Sequence, residues 1–228
     1  MMQAILDSPL LGLGLSAATF ALGRWIQKKT GWTIANPLLI SAVLSISLLL
    51  VLEIPYEAYA QGGEFINLML SPVTAILALG IYNQRAVLKR YFVPVLVGCL
   101  VGSASSVLSV LGLCRLFGLD AAITAALIPK SCTTAIALGI AEAKGGIVAI
   151  TAACVIFTGL VGALGAPLFA KVFRITDPVA QGLAVGACSH ALGTSKAREM
   201  GELQGAMSSI AIGVCGLLTV LLSLVLPL

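Results

Sequence analysis

Leu127-Ile128-Pro129-Lys130-Ser131-Cys132-Thr133-Thr134-Ala135 is the stretch that decides how this chain folds. It lies inside an apolar run, 121–143, long enough to cross a bilayer. Pro129 removes a backbone donor and clashes with the turn before it, so a helix breaks there. Lys130 places a charge at the break. An ammonium in hydrocarbon costs about 2.5–3.5 kcal/mol on insertion scales, which makes it a functional candidate. Ser131, Thr133 and Thr134 can cap a second half-helix. A helix restarting inside the membrane points open N–H groups and a positive dipole end at whatever precedes it. Beside a lysine, that is a small-anion site.

The rest of the chain fits this reading. Its 228 residues are 59% hydrophobic and 10% charged, with mean hydropathy +1.09. Soluble domains carry about 25% charge, so an all-α polytopic membrane bundle is expected, as one integral domain over 1–228. The apolar runs are too continuous for outer-membrane strands. The net charge of +4 comes from short basic clusters between spans, which report orientation and not nucleic-acid binding. About eight spans are expected: 5–23, 37–52, 65–82, 92–114, 121–143, 147–170, 178–200 and 205–228. Residues 1–7 lack the basic start of a signal peptide, so the first span is expected to be retained. The basic loops at 24–29 and 85–90 are cytoplasmic by the positive-inside rule, which puts the N-terminus outside. Glu53, Glu57 and Glu64 decorate an expected external loop. Asn36, Asp120 and Asp177 read as helix caps, two of them followed by proline.

A second polar interruption is Gly186-Ala187-Cys188-Ser189-His190-Ala191-Leu192-Gly193-Thr194. His190 is the sole histidine, and an intramembrane ionisable group is a candidate site. It could also carry a proton. Segments 121–143 and 178–200 are either broken helices that cross or re-entrant hairpins. About 20 residues suit one crossing better than a round trip, so crossing is expected, with the two breaks meeting near the midplane. An echo between 72–81 and 134–140 raises an inverted repeat. The six cysteines form no CxxC pair and read as packing residues. No span after Asp7 holds a central carboxylate, and there is no GxSxG, HExxH, Walker loop or metal-ligand cluster. No enzyme activity, cofactor or metal is expected.

Pro129-Lys130-Ser131-Cys132-Thr133-Thr134, followed by Ala135-Ile136-Ala137, resembles the PKSVTTPIA signature of the LrgB/CidB family. Residues 186–194 are similar to that family's G-x-x-SH-x-x-GT, and Leu70-Ser71-Pro72-Val73-Thr74-Ala75 to its LLGPATVAL stretch. Cys132 stands for the usual valine, Ala135 for a proline and Ser71 for a glycine. The resemblance covers essentially the whole chain and implies two histories. One is an antiholin-like partner of a small LrgA/CidA-type membrane protein, tuning murein hydrolase activity and lysis. The other is transport of small carboxylates such as glycolate, glycerate, pyruvate or lactate. The residue reading favours the second, because a holin-like pore needs only self-assembling amphipathic helices and gives no reason for two polar breaks with a lysine and a histidine. A secondary transporter in the bacterial inner membrane is therefore expected, as a homo-oligomer. Pro129, Lys130, Ser131, Thr133, Thr134, Ser189, His190, Gly193 and Thr194 would hold the organic anion.

Overall fold

The computed structural model describes residues 8–31 and 37–226, with backbone alone for six residues of the helix at 70–83. Asn36, read as a cap, lies outside the described residues. All regular structure described is helical. Four helices are long and apolar enough to cross a membrane: α1 (Pro9–Thr30), α6 (Phe92–Leu116), α9 (Val148–Val172) and α11 (Glu202–Val225). Between them lie α2 (Pro37–Val51), α3 (Tyr56–Leu68), α4 (Leu70–Asn83), α5 (Arg85–Arg90), α7 (Ala121–Leu127), α8 (Thr134–Ala143) and α10 (Pro178–Met200). The chain forms two compact units, Met1–Val73 and Thr74–Leu228.

In the first unit α1 packs on α2 and α3. Ser8 caps α1 through its hydroxyl, Pro9 opens it, and Gly31 ends it at φ 68. Thr19 Oγ1 lies 2.9 and 3.0 Å from the hydroxyls of Ser41 and Ser45, a polar seam between α1 and α2. Residues 53–64 are not the external loop expected from their glutamates. Helix α3 occupies most of them because Ala58 and Gly62 form a small face that α1 covers. A Cβ on Gly12 would sit 3.0 Å from Gly62 Cα and overlap Tyr59 O. Small residues allow this approach. Gly62→Val is expected to separate the two helices and cost about 1–3 kcal/mol, whereas Gly63→Val, facing open space, is expected to be neutral. Thermal melting in detergent checks both.

In the second unit α6, α9 and α11 run between two ends, named here for Asp177 and Asp120. At the Asp177 end Val95 and Cys99 of α6 join Val179, Leu183, Met207 and Ile210 in one core. At the Asp120 end Val107, Val110, Leu111 and Cys114 of α6 enclose Ile128.

Between these long helices lie two reversals. Helix α7, capped by Asp120 Oδ1 on Ile123 N (2.7 Å), passes into a 3₁₀ turn, Ile128–Ser131, where Pro129 stops the α-helical ladder. Cys132 and Thr133 run extended, and α8 starts. A Cβ on Gly146 would meet Ala126 N at 2.8 Å and Ala141 O at 3.1 Å. One continuous helix would hold those two residues about 22 Å apart. The segment therefore folds back as a hairpin entering from the Asp120 end.

Helix α10 also folds back. His190, at φ 38 and ψ −131, reverses it. A Cβ on Gly193 would lie 2.9 Å from Val185 Cγ1. Similarly, Gly182 abuts Gln204 while Gly205 abuts Arg198 (2.5 and 2.6 Å to a built Cβ). The limbs 178–189 and 191–200 thus lie side by side, entering from the Asp177 end.

Crossing broken helices were expected at both places, and this is corrected: two of the eight expected crossings turn back. Limbs of seven to twelve residues span about 10–18 Å, half a bilayer core each. Segment length alone does not distinguish one full crossing from two halves.

Candidate functional site

The two hairpin tips meet at Val155 of α9. Cys132 of the first tip shares its buried cluster. His190 Nε2 of the second lies 3.1 Å from its carbonyl oxygen. A carbonyl can only accept, so Nε2 carries the proton and donates. The helix breaks thus bring Lys130 and His190, sixty residues apart in sequence, to one level of α9.

The first tip is polar and partly open. Lys130 Nζ donates to Ser131 Oγ (3.1 Å), and Ser106 Oγ of α6 donates to the same oxygen (2.8 Å). Ser131 accepts twice, so its own proton remains for a ligand. Thr133 takes the N-cap backbone of α8 without a side-chain cap bond, and its buried Oγ1 has no partner. The first α8 bond described is Ala137 N to Thr133 O, so the preceding N–H groups lie open at the tip. Pro129 is buried and shapes the turn, and Thr134 is half-buried.

The second tip is closed. Ser189 is fully buried beside Cys188 Sγ (3.0 Å), and His190 is 4% exposed. Thr194 Oγ1 donates to His190 O (2.9 Å) and lies 2.7 Å from Ser208 Oγ, tying the reversal to α11. The φ of His190 is one that glycine adopts easily and other residues at a cost of about 1–3 kcal/mol. This network, with the Val155 bond, holds it there. Gly193 packs against Ser189, and the tip seats on glycines of α9. A Cβ on Gly159 would come 2.7 Å from His190 Cε1, and one on Gly162 would overlap Ser189 Oγ.

Two cavities flank the first limb of α10. One, about 650 Å³, contains Ser106, Ser131, Gly102, Asp177 and Cys188. The other, about 670 Å³, contains Lys130, Cys154, Thr158, Gln181 and Cys188. Neither is lined by Pro129, Thr133, Thr134, Ser189, His190, Gly193 or Thr194. The nine residues read from the sequence therefore divide. Lys130 and Ser131 face the cavities, and the others shape the tips behind them.

Ser106 and Cys188 were not among the nine. In the sequence Cys188 reads, with the other five cysteines, as a packing residue. Five of the six cysteines are buried or half-buried, while Cys188 is exposed. Among the described residues no group of three His, Cys, Asp or Glu could hold a metal ion.

A family model described as the LrgB-like family matches residues 16–228. The chain is similar to "Antiholin-like protein LrgB" of Bacillus subtilis (strain 168), 42% identical over 216 residues, covering 94% of this chain and 93% of that protein. It is similar to proteins of the same name from Bacillus cereus (strain B4264) and Bacillus anthracis (strain CDC 684 / NRRL 3495), each 41% identical over 215 residues, covering 93% of both chains. No solved structure matches it.

Proposed function

Because the chain belongs to the LrgB family, we propose that it acts as an antiholin-like regulator in the bacterial inner membrane. It works with a small LrgA/CidA-type membrane protein to restrain murein hydrolase activity and lysis. What supports this is similarity above 40% identity, over 93% of each relative, to proteins whose printed name is antiholin-like protein LrgB. The test is expression in a strain lacking its own LrgB-type protein. Autolysis after detergent challenge is expected to slow several-fold, and an unchanged rate overturns the reading.

A second reading has its own observation. The Lys130–Ser131–Ser106 cluster at an open hairpin tip favours binding and carriage of a small monocarboxylate, of the glycolate, glycerate, pyruvate or lactate class. Lys130 is the counter-charge. Ser131 and the α8 N-terminus hold the carboxylate oxygens. The second tip, with Ser189, His190, Gly193 and Thr194, lies behind the cavities and braces the wall that Cys188 presents to the site. Opposed hairpins are what an inverted repeat produces around a midplane site.

Orientation follows from charge. Arg85, Lys89, Arg90, Lys171, Arg174, Lys196 and Arg198 gather toward the Asp177 end, against Arg115 and Lys144 at the other. The Asp177 end is cytoplasmic by the positive-inside rule. By the same rule the loop at 24–29 is cytoplasmic and the N-terminus outside in this reading.

A further inference from the structure

We propose that the Lys130–Ser131 site is open to water only from the Asp177 end, the basic and cytoplasmic end, and is shut toward the Asp120 end. Access from one end holds whether the chain regulates or transports, because it concerns the path to the site and not its consequence.

Both cavities begin at the first hairpin tip and run the same way. One passes from Ser131 and Ser106 to Tyr91 and Asp177. The other follows α9 from Cys154 to Ala170, about 24 Å at 1.5 Å per residue, and reaches Gln181 and Met200. Neither includes a residue from 107–127, 137–150 or 215–226, the segments that build the Asp120 end.

That end is packed. Ile128, 1% exposed, sits among Val107, Val110, Leu111 and Cys114, with Leu222 and Leu226 against them. On the α9 side Thr151 Oγ1 donates to Ala126 O (2.9 Å) and Gly146 fits against Ala126. An apolar plug thus lies behind the tip, and before it lie two passages walled mostly by apolar side chains, with Ser131 and Asp177 at the ends of one and Lys130 and Gln181 in the other. An ammonium has three protons to place, and Lys130 gives one to Ser131. Water entering past Gln181 and Thr158 satisfies the others. A ligand for this site therefore comes from the cytoplasm.

Cys188 reports on the path because its exposed thiol lines both cavities. The probe is sulfonatoethyl methanethiosulfonate, an anion that does not cross lipid, applied to sealed vesicles of each orientation. The Cys188 thiolate attacks the sulfenyl sulfur, a mixed disulfide forms and methanesulfinate leaves. Peptide mass mapping of the unmutated protein follows the adduct at Cys188. Arg115→Cys and Lys171→Cys, both exposed positions at opposite ends, mark the two faces.

Cys188 is expected to react at least tenfold faster from the face that labels Lys171→Cys. Comparable rates from both faces, faster reaction from the Arg115→Cys face, or no reaction while the markers label would each overturn the proposal. If Lys171→Cys labels from outside, the orientation is wrong instead, and the two failures are read separately.

Discussion

Lys130→Ala is expected to reduce carboxylate uptake to background while leaving the protein at least as stable as before. The two effects have one cause. Lys130 has a single described protein partner, the Ser131 hydroxyl, and sits half-buried at a hairpin tip. Removing it deletes a charge whose insertion costs about 2.5–3.5 kcal/mol. A residue kept for structure would show the opposite sign on melting. It would have been an anchor, and truncation would leave a gap and an unpaired partner. Ser131 is not left unpaired, because Ser106 still donates to it.

The measurements are uptake of labelled glycolate, pyruvate or lactate into vesicles, and thermal melting of the purified protein. Uptake retained with a lowered melting temperature would make Lys130 a packing residue and remove the carboxylate reading. The same variant in the autolysis assay separates the two functions. Restraint of lysis that survives Lys130→Ala acts through a partner surface, away from this site.

Gly162→Val is expected to be strongly damaging to the second unit. A Cβ at 162 would overlap Ser189 Oγ and lie 2.7 Å from Ser189 Cβ. Ser189 has nowhere to go. Gly193 closes on its other side, and Val185 stands 2.9 Å from a Cβ built there. Nor is the obstacle the far end of a flexible chain, so the whole tip must move off α9. Overpacking of this kind costs about 1–3 kcal/mol. The same movement strains the His190–Val155 bond and disturbs the Cys188 wall between the cavities.

A lower melting temperature and loss of lysis restraint are the expected readouts. Gly165→Ala, whose new Cβ would meet Phe169 at an ordinary 3.7 Å, is the neutral comparison. Melting of Gly162→Val at the wild-type temperature would mean that the second tip is not seated on this glycine.

The relatives' names bear differently on function than the residues do. Two polar breaks with an amine and an imidazole read most simply as a carrier. The family's printed role is antiholin-like. The hairpins reduce this tension, since a site open from one end can serve a regulator as well as a carrier. His190 also changes part. Read as a ligand contact, it is instead 4% exposed and bonded to Val155 O, outside both cavities.

What the sequence determined by itself was composition, breaks and caps. Mean hydropathy and run length require apolar helices because each backbone polar group in lipid must be satisfied within its own segment. Pro129 stops a helix wherever it stands, and Asp120 and Asp177 cap α7 and α10, because these are local steric and hydrogen-bonding effects. The direction of the chain after each break was decided only by tertiary structure. A break permits a kink or a full reversal at similar local cost. Gly146 against Ala126, Gly193 against Val185, and Gly159 and Gly162 against the second tip are contacts between residues distant along the chain. They choose reversal because only a fold-back lets those glycines pack. The same long-range packing turned Cys188 outward, brought Ser106 to Ser131, and left one end of the site open and the other filled.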